Sequence, residues 1–329
     1  MIPEITSRIF TIGNHADFLR VALEIFNYQA LNNEIYDRFL RMLGSDAREV
    51  NSPGGIPFLP AGFFRDHKVI TGKLKETIVF ESSGTSGTST GRHYVIDTSL
   101  YESSFLRAFS FFYGDPSQYF IAALLPSYTE RKNSSLAYMV NDLIRKSDYP
   151  ASGFYGDNIS ELLTHIREAK SVNRKVLLMG VSFALLDLAE TYHPDLSGVI
   201  VMETGGMKGR RKELTREELH AVLKESFNVE NIHSEYGMTE LLSQAYSKGD
   251  GRFFTPPWMK ILIRDPQDPL SVTDEPGRTG GINIIDLANI HSCSFIATDD
   301  LGRLHEQGSF EVLGRLDNSD IRGCNLMIG

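Results

Sequence analysis

The chain of 329 residues carries only two cysteines, Cys293 and Cys324, and a single tryptophan. Two thiols in a chain this long imply no disulfide framework, so a buried core has to hold the fold. Positive charge is also scarce: 33 Lys and Arg stand against 42 Asp and Glu, a formal net charge of −9. The basic footprint of a general nucleic-acid binder is therefore missing. No apolar run is long enough to cross a bilayer, since the longest, Tyr119 to Leu125, falls far short of a spanning helix. Membrane insertion is not expected. The first residues, Met1 to Arg8, lack the basic and apolar regions of a signal peptide, and a cytosolic protein with both thiols reduced is the expectation. What remains is an ordinary globular composition, with enough residues for a large core.

Apolar residues at helical spacing, among them Phe18, Ala22, Ile25, Phe26, Ile35, Phe39 and Leu43, predict helix from Ala16 to Leu43. A Pro/Gly stretch from Asn51 to Pro57 marks a loop. From 119 to 250, strand-like runs at 119–125, 175–179 and 198–202 alternate with helix-like runs at 134–146, 158–170 and 183–192. That alternation predicts an α/β layer with a mostly parallel sheet. A helix from Arg216 to Phe227 opens on the capping box Thr215/Glu218 and sets Leu219, Val222, Leu223 and Phe227 on one face. Beyond 250, short strands at 259–264, 281–286, 294–298 and 310–313 lie between Pro/Gly/Asp turns and read as a β-rich subdomain or barrel appended to the core. The expected organisation is one domain over 1–329: a helical part to about 75, an α/β core over 76–250, and a β-rich part with a tail over 251–329.

Four segments carry chemistry. The first follows the strand-like 77–80: Ser82, Ser83, Gly84, Thr85, Ser86, Gly87 and Thr88, with a further glycine at 91. Glycines let backbone N–H groups converge and hydroxyls add donors, which suits a polyphosphate; a flexible surface linker is the alternative. The glycine spacing is not that of a dinucleotide fingerprint, and no P-loop Lys follows. His93, just after this segment, reads as a surface residue that could approach the phosphates. The second segment is 235–240, Glu-Tyr-Gly-Met-Thr-Glu, followed by a helix-like 241–245. Tyr236 offers a flat face for a base, Gly237 close backbone approach, Thr239 a hydroxyl for phosphate, and Glu240 a hard oxygen for Mg²⁺. A turn with Thr239 capping a helix explains the same residues. The third and fourth segments run from Ala297 to Arg303, with Thr298-Asp299-Asp300, and from Gly314 to Cys324, with Gly314-Arg315-Leu316-Asp317. An Asp at a strand end can accept from both ribose hydroxyls, and Arg315 and Arg322 can neutralise an anion; both segments also read as hairpin turns.

The order of these four segments resembles the core motifs of adenylate-forming enzymes: acyl-CoA synthetases, peptide-synthetase adenylation domains and luciferases. About 150 residues separate the first two motifs and about 60 the second from the third, as in that superfamily. The resemblance implies that 82–88 holds the ATP pyrophosphate, Tyr236 lies against adenine, and Thr239 touches the α-phosphate. It also implies that Glu240 binds Mg²⁺, that Asp300 holds the ribose, and that Arg315 is the motif arginine. Gly205 and Gly206 stand where the superfamily often has a glycine pair beside the nucleotide. The expected fold is the large N-terminal domain of these enzymes, helix-flanked and mostly parallel sheets with a small barrel-like part. Such enzymes continue into a small mobile domain with a catalytic Lys, which this chain is expected to lack; Lys208, Arg210 and Arg211 are candidate substitutes.

The segment 56–68, the short length and the Arg-Gly-Cys-Asn-Leu near the end resemble the LuxE-type acyl-protein synthetases over essentially the whole chain. That resemblance implies ATP- and Mg²⁺-dependent activation of a fatty acid, transfer of the acyl group to Cys324, and passage to a reductase subunit or carrier protein. Arg322, two residues away, would favour the thiolate. Cys293 reads as a packing residue. Two other readings stand beside this one. In the first, a CoA-ligase-like enzyme works with a separate partner domain. In the second, an α/β-hydrolase-like esterase or acyltransferase uses Ser182 of Gly180-x-Ser182-x-Ala184, with Asp286 and His291 or His305 in chain order. Ser182 capping the following helix is the plainer reading of that residue.

Overall fold

The computed structural model describes residues 2–82, 90–126, 132–205 and 214–316. Its centre is a 13-stranded sheet with two halves of different topology. From one edge, Gly153–Phe154, Tyr119–Leu124, Lys175–Val181, Ile200–Thr204 and Ile232–Tyr236 run parallel. The sheet then continues antiparallel through Ala245–Ser247, Phe253–Phe254, Phe310–Arg315, Phe295–Leu304, Thr279–Asp286, Met259–Arg264 and Val272–Thr273. The short strand Leu59–Pro60 pairs parallel to Phe295–Leu304 from outside that sequence. The stretch beyond 250 is thus joined edge to edge with the α/β core, through the pairing of Phe253 with Ser247 and Phe254 with Tyr246, rather than set beside it.

The parallel half shows why its strands read as unbroken apolar runs. In Tyr119–Leu124 every residue is buried. Tyr119, Ile121 and Ala123 enter the core beneath helices Thr98–Tyr113 and Ser135–Lys146. Phe120, Ala122 and Leu124 enter a second core beneath Ile159–Ser171, Ser182–Tyr192 and Arg216–Phe227. Successive side chains of a strand point to opposite faces, so a strand covered on both faces has to be apolar throughout.

Three local expectations change. The single helix over 16–43 is two, His15–Asn32 and Glu34–Met42. Asn33 breaks it: its amide N–H donates to Gln29, its side-chain oxygen accepts from Tyr36 N, and its Nδ2 donates to the Ser292 carbonyl at 2.8 Å. Asn is a good N-cap because its oxygen satisfies an orphan N–H of the first turn. In Arg216–Phe227 the capping box forms, but His220 is buried where Val222 was expected and Val222 is 39% exposed. The helix-like 241–245 is not a helix. The Asp286 carboxylate accepts from Leu242 N at 2.7 Å and Ser243 N at 3.0 Å, and Ala245 opens a strand that pairs with Tyr236.

No helix among the described residues is long and apolar enough to cross a membrane.

Candidate functional site

In open α/β sheets, ligands bind beyond the carboxyl ends of the parallel strands. The strands Lys175–Val181, Ile200–Thr204 and Ile232–Tyr236 end at Ser182, Gly205 and Gly237, and the second motif begins there.

The first motif reaches this edge through the hairpin of Ile78–Glu81 with Arg92–Val95. Ser82 and Gly91 close the neck of its loop: Ser82 N donates to Gly91 O at 2.9 Å, and Gly91 N to Ser82 Oγ at 2.8 Å. A Cβ on Gly91 would lie 2.7 Å from Glu240 Oε1 and 3.3 Å from Ser82 Oγ. The neck of the glycine-rich loop therefore rests directly on the Glu240 carboxylate. Ser83, Gly84, Thr85, Ser86, Gly87 and Thr88 lie outside the described residues, as do Gly206, Lys208, Arg210 and Arg211.

The second motif is held from beneath. His93 is buried, and its Nδ1 lies 2.9 Å from the carbonyl of Thr239. A carbonyl only accepts, so Nδ1 carries the proton. Asn289 Nδ2 donates to the neighbouring Glu240 carbonyl at 2.7 Å. Burial pushes the His93 pKa down to about 4, against the bond to Thr239, so the ring is neutral at physiological pH. This corrects the expectation of a surface histidine near the phosphates: His93 fixes the backbone of Thr239 instead. Its position, in alternation with the partly exposed Tyr94 on a covered hairpin, was the available signal.

Glu240 is 8% exposed. Burial raises its pKa, Asp299 and Asp300 add to the rise, and Arg65 opposes it. The carboxylate is short of positive charge, which is what a Mg²⁺ site requires before the ion arrives. Among the described residues no three His, Cys, Asp or Glu side chains converge as a protein-only metal cage. Mg²⁺ needs none, because it takes one or two carboxylates and completes its shell with substrate phosphates and water. Arg65 was missed at the sequence level. The short strand Leu59–Pro60 pins the proline-rich segment to Phe295–Leu304, and the helix Phe63–Asp66 then carries Arg65 to within 3.8 Å (Cγ) of the Gly91 Cβ position.

The third and fourth motifs meet across one ladder: Asp300 pairs in register with Arg315. The third is not a hairpin turn, since Thr298, Asp299 and Asp300 lie within the strand Phe295–Leu304; Gly314 and Arg315 end the strand Phe310–Arg315, and Asp317 lies outside the described residues. The exposed Arg315 Nη2 lies 3.4 Å from Asp299 Oδ2. Tyr236 Oη donates to Asp300 Oδ2 at 2.8 Å, joining the second motif to the third. The Tyr236 ring is buried edge-on against Phe253 and Phe310. Burial raises the Asp300 pKa, with the Tyr236 hydroxyl and Arg315 opposing it.

At the ends of the parallel strands, Ser182 Oγ donates to Gly205 O at 2.8 Å and faces Glu203 Oε2 at 3.4 Å. Arg216 Nε and His220 Nε2 lie 3.4 and 3.7 Å from Glu203 Oε1. Burial raises the Glu203 pKa, but His220, Arg216 and Ser234 outweigh it and leave the group lowered. Ser182 does not cap the helix it begins; its hydroxyl is committed to Gly205. The hydrolase triad is not assembled either. Asp286 is taken by Ser243 Oγ and the N–H groups of Leu242, Ser243 and Ala288, and His305 lies 2.9 Å from Glu311. Cys293 is fully buried, its thiol pushed up to about 12 by burial, so it packs and does not react. Cys324 and Arg322 lie outside the described residues.

No protein-family model and no curated protein matches the sequence. Solved structures do match in shape. A long-chain-fatty-acid–CoA ligase (FadD1) from Archaeoglobus fulgidus superposes with a TM-score of 0.52 at 13% identity, covering 76% of this chain and 53% of its own. The amide bond synthetase McbA from Marinactinospora thermotolerans gives 0.51 at 19%, covering 73% and 49%. A double mutant of o-succinylbenzoate CoA synthetase (MenE) from Bacillus subtilis, bound with a product analogue, gives 0.50 at 18%, covering 72% and 48%. The fold is that of the N-terminal domain of adenylate-forming enzymes, and the chain spans about half the length of these solved chains.

Proposed function

We propose that the protein activates a carboxylic acid with ATP, forming acyl-AMP, and passes the acyl group to Cys324 and then to a partner protein. One observation carries the reading: four segments far apart in sequence converge at one sheet edge. Gly91 lies against Glu240, Tyr236 bonds Asp300, and Asp300 pairs with Arg315. The known neighbours by shape include acid ligases, which accords with this chemistry.

In the first step a carboxylate oxygen attacks the α-phosphorus of ATP, the bond to the β-phosphate oxygen breaks, and pyrophosphate leaves. The loop 82–88 is assigned to the pyrophosphate, Thr239 to the α-phosphate, Asp300 to the ribose, and Tyr236 and Gly237 to the base, with Gly205 and Gly206 beside the nucleotide. Glu240 would hold Mg²⁺, which offsets phosphate charge when bound. In the second step the Cys324 thiolate attacks the acyl carbonyl and AMP leaves, giving a thioester. Arg322 would favour that thiolate, and Arg315 the phosphate charge. The LuxE-type resemblance makes the acid a fatty acid and the acceptor a reductase subunit or carrier protein. The deep burial of Cys293 leaves Cys324 as the thiol suited to this step.

The test is incubation with ATP, Mg²⁺ and a labelled fatty acid. Acyl-AMP and a hydroxylamine-labile acyl group on the protein are expected, with Cys324→Ser keeping the first and losing the second. Protein label that persists in Cys324→Ser removes the thioester step. Absence of ATP-dependent acyl-AMP with any carboxylic acid overturns adenylation.

A further inference from the structure

Behind the second motif lies a row of polar groups that the steps above do not use, with Thr204 and Tyr246 buried and Glu235 half-buried between them. Thr204, Glu235 and Tyr246 pair directly across three adjacent strands, Thr204 with Glu235 and Glu235 with Tyr246. Residues opposite each other in a ladder share one face of the sheet. This face looks into the core beneath helix Thr98–Tyr113, where the Tyr246 ring packs against Phe112 and Tyr113, and Met202, two residues before Thr204, joins the same core.

The row is not satisfied internally. Thr204 is 0% exposed and Tyr246 1% exposed, and among the described residues the hydroxyl of each has no hydrogen-bond partner. Gln244, just before the strand of Tyr246, is also buried, its Oε1 without a partner among the described residues. Glu235 makes no ion pair among the described residues; its Oε1 fills the space above Gly237, 2.5 Å from where a Cβ would stand. Burial, with Glu203 nearby, pushes its pKa up to about 8, so at neutral pH it is largely a protonated donor.

The neighbouring polar groups are treated differently. Ser104, Ser243, Trp258 and Asp286 satisfy one another in a closed network at 2.6 to 3.1 Å. Buried polar groups are almost always bonded, because leaving one bare costs about 1–3 kcal/mol. A fold that closes one network and leaves the hydroxyls of Thr204 and Tyr246 bare on either side of Glu235 is built for a polar group from outside.

We infer that Thr204, Glu235 and Tyr246 bind a hydroxyl carried by the acid substrate near its carboxyl end, so that the substrate is a hydroxy acid rather than an unsubstituted alkyl acid. The inference rests on the adenylation reading, because it takes the acid's carboxylate to lie at Thr239. Three neutral donor–acceptor groups fit a hydroxyl, which both donates and accepts. A site built to bond a hydroxyl rejects the analogue lacking it far more strongly than an apolar pocket separates two alkyl chains, because its own polar groups stay bare.

The test compares alkanoates with their 2- and 3-hydroxy counterparts over short to long chains, in acid-dependent ATP–pyrophosphate exchange and in calorimetric titration of each acid. The expected kcat/KM ratio favours a hydroxy acid over its alkyl counterpart by ~100-fold or more. That ratio falls towards one in Tyr246→Phe, Thr204→Val and Glu235→Leu, and is retained in Glu235→Gln, which keeps a neutral donor. Alkanoates used as well as hydroxy acids, or a ratio unmoved by the variants, would overturn the inference. Hydroxy-selective binding without exchange for any acid removes adenylation and keeps the subsite. Equal binding of both acid types, or binding of neither, removes the subsite whatever the exchange shows.

Discussion

Replacing Gly91 with Ala puts a single methyl group between the glycine-rich loop and the second motif. The backbone at Gly91 is not left-handed, so an L-residue can adopt it and strain is not the issue. The contact is. The new Cβ meets Glu240 Oε1 at 2.7 Å and Ser82 Oγ at 3.3 Å. Ordinary contact starts near ~3.4 Å, so the carboxylate has to retreat by about 0.7 Å. Both obstructing atoms are ends of side chains that can turn, and the cost to folding is therefore small, under about 1 kcal/mol. The cost to function is larger, because a displacement near 1 Å in a reacting geometry is worth on the order of 100-fold. The expected result is a fall of about 10- to 100-fold in ATP–pyrophosphate exchange, a raised KM for MgATP, and a nearly unchanged Tm. Shortening the obstructing side chain, in Gly91→Ala with Glu240→Asp, recovers part of the loss. Exchange within about twofold of wild type for Gly91→Ala would refute the placement of Glu240 in the reaction centre. A large drop in Tm would reduce Gly91 to a packing residue.

Tyr236→Phe removes the bond to Asp300 and leaves a half-buried carboxylate without its donor, at an expected loss of about 1–2 kcal/mol in urea unfolding and a raised KM for ATP. Unchanged stability would show that solvent replaces the hydroxyl. His93 is buried neutral with a folded pKa near 4, below its unfolded value. Between these values the unfolded state binds more protons, so the stability His93 contributes is present above about pH 6.5 and is lost as pH falls towards 4. His93→Gln is expected to flatten the stability profile in that window and to weaken MgATP binding at neutral pH; an unchanged acid limb would refute the assignment.

The parallel half was legible because its signal is local. Strand 119–124 is apolar at consecutive positions, helix Arg216–Phe227 announces its own capping box, and both need only a short window to be read. Asn33 was not: it is one polar residue in a long periodic stretch, and its effect depends on the Ser292 carbonyl, far along the chain. The same reason hid Arg65, which reaches the site only because Leu59 pairs with Ile296. The helix expected at 241–245 fails for an equally distant cause, the Asp286 carboxylate drawing away the N–H groups of Leu242 and Ser243. Within the candidate site, residue types suggested Tyr236, Glu240 and Asp300. Their junctions are properties of the ladder: the bond of Tyr236 to Asp300 and the seat of Gly91 on Glu240 have no sequence signature.

Strand Ile232–Tyr236 is paired parallel on one side and antiparallel on the other. Its end meets Asp300 only after the chain has run through the antiparallel half and returned, and pairings of such sequence separation form slowly, after loop-closure entropy has been overcome. A folding intermediate with the parallel half in place would hold Tyr236 and Glu240 but no Asp300 partner and no paired Arg315. On the adenylation reading, nucleotide affinity would then arise late in folding, as the last strands close. A ligand that binds only the closed sheet stabilises it by mass action, so the nucleotide would act on the final step of folding as well as on the reaction.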